Sequence, residues 1–164
     1  MKNIMIIDMQ KGFVNNNNYH IVEKIFNYIE SEKFDNIFCT RCINNPNSPF
    51  VKFLNYEAMC TEDEQRLVID IKKEKTVITK TGYGIGNKAI EELKEKNITE
   101  IELCGTDTDA CVLAIAFELF DNGIKPIILQ NLCASSSSNM EMHNMAIRII
   151  ERQFGKNNIK TVQI

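Results

Sequence analysis

Short apolar segments alternate with longer helical patterns along the whole chain, and this alternation restricts the possible fold more than any other feature. Several of the segments are continuous apolar runs, such as residues 4–7 and 126–129. Such runs are typical of strands covered on both faces. Regular strand–helix alternation predicts a parallel sheet with helices on both sides. We therefore predict an α/β fold, a three-layer α/β/α sandwich around a central, mostly parallel six-stranded sheet.

The predicted elements follow from apolar periodicity and turn residues. Strands are predicted at 3–8, 36–40, 75–79, 99–104, 125–130 and 159–163. Helices are predicted at 19–32, 61–72, 87–96, 110–122 and 139–154. The stretch 41–60 is predicted to be a loop, because it is rich in asparagine and proline. The order of elements is Rossmann-like, and residues 1–164 are predicted to form a single domain.

Charge and hydropathy exclude several classes of protein. The net charge of −3 gives no electrostatic footprint for nucleic acid and no basic face for anionic lipid. No apolar run approaches the roughly 20 residues that span a bilayer. The first segment is interrupted too early to be a signal peptide, and we interpret it as the first strand. The six cysteines are predicted to be free thiols in a reducing, cytoplasmic setting.

Reactive side chains are predicted where three of the strands end. In open α/β sheets, ligands bind beyond the carboxyl ends of the strands. Those ends carry Asp8, Lys80 and the turn 105–111, which contains Cys111. A thiol at a helix N-terminus beside a lysine is expected to favour the thiolate, and Asp8 could exchange its proton. Backbone N–H groups of the turn could hold an oxyanion.

Each of these residues also has an ordinary structural interpretation. Cys111 could be a buried structural thiol, Asp8 a strand-end cap, and Lys80 a solvated surface lysine. Asp107 and Asp109 could be helix N-caps. The occurrence of three reactive groups at three separate strand ends favours a cysteine-dependent hydrolase.

Three motifs resemble those of the isochorismatase-like cysteine hydrolases, which include nicotinamidases and N-carbamoylsarcosine amidases. They are residues 6–13 (IIDMQKGF), 80–84 (KTGYG) and 105–112 (GTDTDACV), in the order found in that superfamily. The resemblance implies a catalytic triad of Asp8, Lys80 and Cys111. It also implies a cis peptide at Thr106–Asp107 and an oxyanion hole formed by the N–H groups of Asp107 and Cys111.

The departures from the family pattern narrow the predicted chemistry. Similar nicotinamidases carry an Asp-x-His metal motif after Thr-Arg, whereas this chain continues with Cys42 and Asn44. We therefore predict no metal and no cofactor. Gly84 and Gly86 stand where a serine and an aromatic residue are common, which would change the pocket wall. Family members that hydrolyse isochorismate lack the cysteine, so Cys111 favours amide chemistry.

The predicted activity is hydrolysis of a small amide or carbamoyl compound through a thioester on Cys111. Phe13, Asn44, Tyr83 and Asp107 are candidates for shaping the substrate site. The resemblance also implies a homo-oligomer, either a dimer or a tetramer. Three alternatives stay open: a metal-free nicotinamidase, a non-catalytic metabolite-binding protein, and a thiol-redox protein that uses Cys39-x-x-Cys42.

Overall fold

The sheet contains six parallel strands in the order β3-β2-β1-β4-β5-β6. The computed structural model describes residues 1–163, apart from the side chain of residue 139. The strands are β1 (Asn3–Ile7), β2 (Asn36–Cys42), β3 (Thr76–Lys80), β4 (Glu100–Gly105), β5 (Lys125–Cys133) and β6 (Ile159–Lys160). The predicted fold class is confirmed, and every strand pair is parallel. This arrangement brings the carboxyl ends of all six strands to one edge.

Helices cover both faces of this sheet and bury two apolar clusters. The helices are α1 (His20–Ser31), α2 (Pro49–Leu54), α3 (Glu62–Gln65), α4 (Asn87–Glu95), α5 (Leu113–Asp121) and α6 (Glu141–Phe154). Helices α4, α5 and α6 pack on one face, and α1 packs on the other. In α1, the buried residues Ile21, Ile25, Tyr28 and Ile29 form one apolar stripe at helical spacing. No helix within residues 1–163 is long and apolar enough to cross a membrane.

Two local predictions were wrong. The helix predicted at 61–72 exists only as the single turn α3, and residues 66–71 are extended beside the sheet. Val68 N–H donates to Met9 O at 2.9 Å, and Leu67 forms an antiparallel bridge with Gln10. These extended partners and the β-branched residues of the segment favour strand-like backbone over helix. The second wrong prediction is the loop at 41–60, because this stretch contains the short helix α2, whose N-terminus is capped by Ser48.

Gly105 lets the ends of β1 and β4 approach closely. Its φ of +120° is in the region that favours glycine. A Cβ at this position would lie 2.1 Å from Ile7 O. Thr106 N–H then donates to Ile7 O at 2.9 Å. The turn after β4 is thereby fixed directly against the end of β1.

Candidate active site

Asp8, Lys80 and Cys111 meet at the carboxyl edge of the sheet, and all three are buried. Asp8 follows β1 with a φ of +48°, a left-handed conformation that aspartate tolerates better than most residues. Lys80 is the last residue of β3. Cys111 lies in a π-helical turn, Thr108–Val112, that connects β4 to α5. The three strand ends predicted to carry reactive groups therefore converge on one site.

Lys80 lies between the other two side chains. Its Nζ is 2.8 Å from Asp8 Oδ2 and 3.2 Å from Cys111 Sγ. The same ammonium donates to Gly82 O at 2.8 Å and to Tyr83 O at 3.4 Å. These contacts use the donors of the ammonium and hold it as a fixed positive charge between a carboxylate and a thiol.

Thr40, from the intervening strand β2, orients the Asp8 carboxylate. Thr40 Oγ1 donates to Asp8 Oδ1 at 2.6 Å and accepts from Asp8 N–H at 3.0 Å. Asp8 Oδ2 contacts the Lys80 ammonium but accepts no hydrogen bond of regular geometry from the described residues. This oxygen therefore keeps a lone pair that could accept the proton of Cys111.

The environment of Cys111 corrects the expectation of a resting thiolate. Burial is the largest effect that raises the pKa of the Cys111 thiol, and the Asp8 carboxylate raises it further, against the opposing charge of Lys80. Burial alone would lower the pKa of the Lys80 ammonium, but Asp8 and Cys111 outweigh burial and raise it. The raised pKa values of both groups favour the neutral thiol of Cys111 and the protonated ammonium of Lys80. The helix terminus and Lys80 do not suffice to ionise the sulfur.

The turn that carries Cys111 is fixed by backbone and side-chain contacts. The Thr106–Asp107 peptide bond is cis. The Asp107 carboxylate accepts from Ser136 N–H at 2.5 Å and from Ser136 Oγ at 2.7 Å, so its side chain anchors the loop after β5. Asp107 N–H donates to no acceptor among the described residues. It is therefore free to serve as the oxyanion donor that the family resemblance implies, and that role stays a prediction.

Phe13, Tyr83 and Asn44, three of the four candidates for shaping the substrate site, differ in how free their side chains are. Phe13 is partly buried, and Asn18 ties its loop to Thr106 by donating to Phe13 O and to Thr106 Oγ1. Tyr83 is 47% exposed and packs edge-on against Phe50, with ring centroids 4.9 Å apart. Both aromatic rings stay candidates for substrate contact.

Asn44 instead holds its own loop together. Its Nδ2 donates to Tyr56 O at 2.7 Å and to Ala58 O at 2.8 Å. Its Oδ1 accepts from Asn45 N–H and from Ser48 Oγ. Because all the polar atoms of this side chain are used, we assign Asn44 a structural role in the loop.

Tyr56 and Glu118 were missed by the sequence analysis. Tyr56 packs edge-on against Phe50, with ring centroids 6.3 Å apart, and Phe50 in turn contacts Tyr83. Glu118 of α5 accepts from Ile85 N–H at 2.6 Å and from Gly86 N–H at 2.9 Å. No local pattern marks either residue. A Cβ at Gly84 would lie 2.5 Å from Glu118 Oε2, which accounts for one of the two glycines.

The residues at the family's metal positions do not fit a metal ion. Within the described chain, no three His, Cys, Asp or Glu side chains are grouped so that they could hold one. Asn44 has no free oxygen lone pair directed at Cys42, because its hydrogen bonds lie within the loop.

The thiol-redox alternative conflicts with the geometry of β2. Cys39 and Cys42 lie three residues apart in one strand, so their Cα atoms are about 10 Å apart, beyond the roughly 7 Å limit for a disulfide. Burial raises the pKa of each thiol to about 11. This pair can neither close a disulfide in the fold nor supply thiolate at neutral pH.

Comparison with known proteins agrees with this fold. The family model described as Isochorismatase domain matches residues 3–158. An isochorismatase-like hydrolase from Alkaliphilus metalliredigens has a TM-score of 0.83 at 21% identity, covering 98% of this chain and 95% of that chain. The zinc complex of a Pyrococcus horikoshii pyrazinamidase has a TM-score of 0.79 at 20% identity, covering 99% of both chains. A Streptococcus mutans pyrazinamidase/nicotinamidase has a TM-score of 0.81 at 20% identity, covering 94% of this chain and 98% of that chain. No curated protein matches the chain significantly.

The fold and the group of carboxylate, ammonium and thiol at its edge define a hydrolase built on a parallel α/β sheet. The chain belongs to the isochorismatase family, since the family model covers nearly its whole length. The family resemblance inferred from the three motifs is confirmed.

Proposed function

We propose that the protein is a cysteine-dependent amidohydrolase that cleaves a small amide or carbamoyl compound through a thioester on Cys111. The observation that carries the proposal is the position of Lys80 Nζ, 2.8 Å from Asp8 and 3.2 Å from Cys111. A buried ammonium at this point stabilises whichever of the two neighbours is negative. It can therefore support proton transfer from sulfur to carboxylate.

In the first half-reaction, the proton of Cys111 passes to Asp8 as sulfur attacks the carbonyl carbon of the substrate. The N–H groups of Asp107 and Cys111 hold the resulting oxyanion. The tetrahedral intermediate collapses as Asp8 returns the proton to the leaving nitrogen. Amine or ammonia departs, and the acyl group remains on Cys111 as a thioester.

In the second half-reaction, water attacks the thioester while Asp8 accepts one of its protons. Collapse of this intermediate releases the carboxylic or carbamic acid and expels the sulfur. The sulfur then recovers the proton from Asp8, which restores the neutral thiol. Lys80 stays protonated throughout, consistent with the raised pKa of its ammonium.

The test is ammonia release from a panel of small carboxamides and N-carbamoyl compounds, with acyl-enzyme detected by intact-protein mass spectrometry. Wild type should release ammonia from at least one compound, and Cys111→Ala and Asp8→Asn should not. A ligand that binds wild type without acylation or turnover would favour the non-catalytic alternative. Failure of the whole panel to acylate Cys111 would contradict the proposal.

Metal-free nicotinamide hydrolysis is a second candidate. It is favoured by the aromatic rings of Phe50, Tyr56 and Tyr83 beside the site and by solved neighbours described as nicotinamidases. Nicotinamide therefore belongs in the panel, assayed in chelator-treated protein. Release of ammonia from nicotinamide, and from no other compound of the panel, would identify this narrower activity.

The setting of the enzyme is also proposed. We expect a cytoplasmic protein, which the six free cysteines support because disulfides are rare in reducing compartments. We expect a homo-oligomer, supported by exposed apolar side chains such as Phe53 and Met145. Light scattering of the purified protein tests the oligomer.

A further inference from the structure

A groove of about 910 Å³, with both charged and apolar lining residues, lies at the β2–β3 edge of the sheet, outside the candidate active site. Arg41 is on the same face of β2 as Cys39, which packs in the cluster covered by α1. The neighbouring edge strand β3 leaves Val77 and Thr79 exposed there. The extended segment 66–71 forms the opposite wall. The groove is lined by Arg41, Glu62, Gln65, Arg66, Leu67, Val68, Ile69, Asp70 and Lys75.

Arg41 enters this groove without a partner among the described residues. Its residue is partly buried, and its Nε is fully buried with no hydrogen-bond acceptor in that part of the chain. No described carboxylate lies within 4.0 Å of its guanidinium. A buried donor left unsatisfied is costly, and this one belongs to a guanidinium whose two terminal nitrogens are not among the buried unsatisfied atoms. This arrangement indicates an acceptor supplied from outside the chain.

The other charges of the groove leave an excess of positive potential. Within residues 1–163, Lys75 donates only to a backbone carbonyl, Ile71 O, at 2.8 Å. Arg66 shares Asp63 with Lys11. Of the two lining carboxylates, Asp70 is already paired with Lys72, which leaves Glu62 as the one unpaired acid among the lining residues. Among the described lining residues, Arg41 and Lys75 are therefore two cations without a carboxylate partner, and Glu62 is the one unpaired acid.

We propose that this groove binds a small oxyanion, either a carboxylate or a phosphate group, with the Arg41 guanidinium as its principal partner. A guanidinium presents paired N–H donors that match two oxygens of such a group. Lys75 and Arg66 add charge from the two sides. The acidic residues Glu62 and Asp70 disfavour large polyanions, so the ligand is a small metabolite rather than nucleic acid.

The groove exists because residues 66–71 do not form part of the helix that the sequence predicts at 61–72. A helix over 61–72 would have packed its side chains against β2 and β3, whereas the single turn α3 and the extended segment leave the groove open. The wall is bonded to the segment after Asp8, because Lys11 N–H donates to Arg66 O at 2.9 Å and Val68 N–H to Met9 O at 2.9 Å. Occupancy should therefore stabilise the fold near the catalytic carboxylate.

Calorimetric titration and thermal unfolding with inorganic phosphate and, separately, succinate test the proposal. Sodium chloride at matched ionic strength controls for screening. We expect at least one of the two anions to bind saturably and to raise Tm. Arg41→Gln should weaken that binding about 10- to 100-fold, as expected for loss of a charge-assisted hydrogen bond. Arg148→Gln, at an exposed arginine of α6, should bind like wild type.

The two anions distinguish phosphate ligands from carboxylate ligands. Lys75→Gln provides a second variant in case Arg41→Gln does not fold, and it should also weaken binding. Equal stabilisation of wild type and both variants would show a non-specific salt effect and overturn the proposal. Lack of saturable binding to either anion would overturn it as well. These readouts do not depend on the enzymatic activity.

Discussion

Replacing Asp8 with asparagine should make Cys111 more reactive toward alkylation while abolishing turnover. The asparagine side chain keeps the size of the original, tolerates the positive φ, and can still accept from Thr40. The substitution removes the negative charge that, with burial, raises the pKa of the Cys111 thiol. Lys80 then has only the thiolate as its anionic partner at 3.2 Å.

The size of the effect follows from the repulsion between carboxylate and thiolate. At a separation of roughly 4 Å and an effective dielectric constant of about 20, two unit charges repel by about 4 kcal/mol. Removing this repulsion increases the thiolate population about a thousandfold at a fixed neutral pH. A less basic thiolate is a weaker nucleophile, by about twentyfold over this range. The net acceleration of alkylation is therefore about 50-fold.

The assay is iodoacetamide alkylation at pH 7.5, followed by peptide mass spectrometry. The exposed Cys60 serves as the internal reference thiol, and Asp121→Asn is the matched control at an exposed aspartate. Asp121→Asn should leave the Cys111 rate unchanged. If Cys111 in Asp8→Asn reacts no faster than in wild type, with native circular dichroism and an unchanged Cys60 rate, the electrostatic reasoning is refuted.

Three further predictions concern stability. Lys80→Met should lower the free energy of unfolding by about 3–5 kcal/mol in urea titrations, because the Asp8 charge is then buried and unpaired. The double variant Lys80→Met with Asp8→Asn should be more stable than Lys80→Met alone, because it has no unpaired buried charge. Gly105→Ala should lower the free energy of unfolding by well over the roughly 1–3 kcal/mol of an unfavourable φ, because the added Cβ would overlap Ile7 O. Gly123→Ala, at a positive φ with no atom within 4 Å of the Cβ, should show the backbone cost only, and equal losses of stability in the two variants would contradict the close approach at Gly105. Burial lowers the pKa of His143, so the unfolded state binds the imidazole proton more tightly than the folded state, and stability should decline as pH falls below about 6.5. In unfolding titrations between pH 7 and 5, His143→Gln should flatten this decline, and an unchanged slope of stability against pH would contradict the role of His143.

Most of the fold was predictable because its signals are local. Each buried parallel strand is a short apolar run, and all six were located to within a few residues. The helix predicted at 61–72 failed because its apolar residues suit two periods, and backbone pairing with residues 9–12 decided the outcome. That pairing joins segments more than 50 residues apart, which no local pattern reports.

The candidate site was predictable in its members but not in its electrostatics. Strand-end position and the family motifs singled out Asp8, Lys80 and Cys111. The state of the thiol depends on burial and on the charge of Asp8, so the expectation of a thiolate could not be corrected from sequence. Glu118 contacts the backbone of Ile85 and Gly86, 33 and 32 residues away along the chain, and nothing beside Glu118 in the sequence indicates these contacts.

The strand order has a consequence for folding. Neighbours in the sheet, β3, β2, β1 and β4, contribute Lys80, Thr40, Asp8 and the turn with Cys111, and Lys80 is 31 residues from Cys111 along the chain. Contacts of this range form only after loop closure has been achieved, and they make parallel sheets slow to fold. A nascent or partly folded chain therefore carries an ordinary, reactive cysteine. Cys111 becomes buried beside Asp8 and Lys80 only when β3, β2, β1 and β4 lie side by side, so its loss of accessibility during refolding would report the assembly of these four strands.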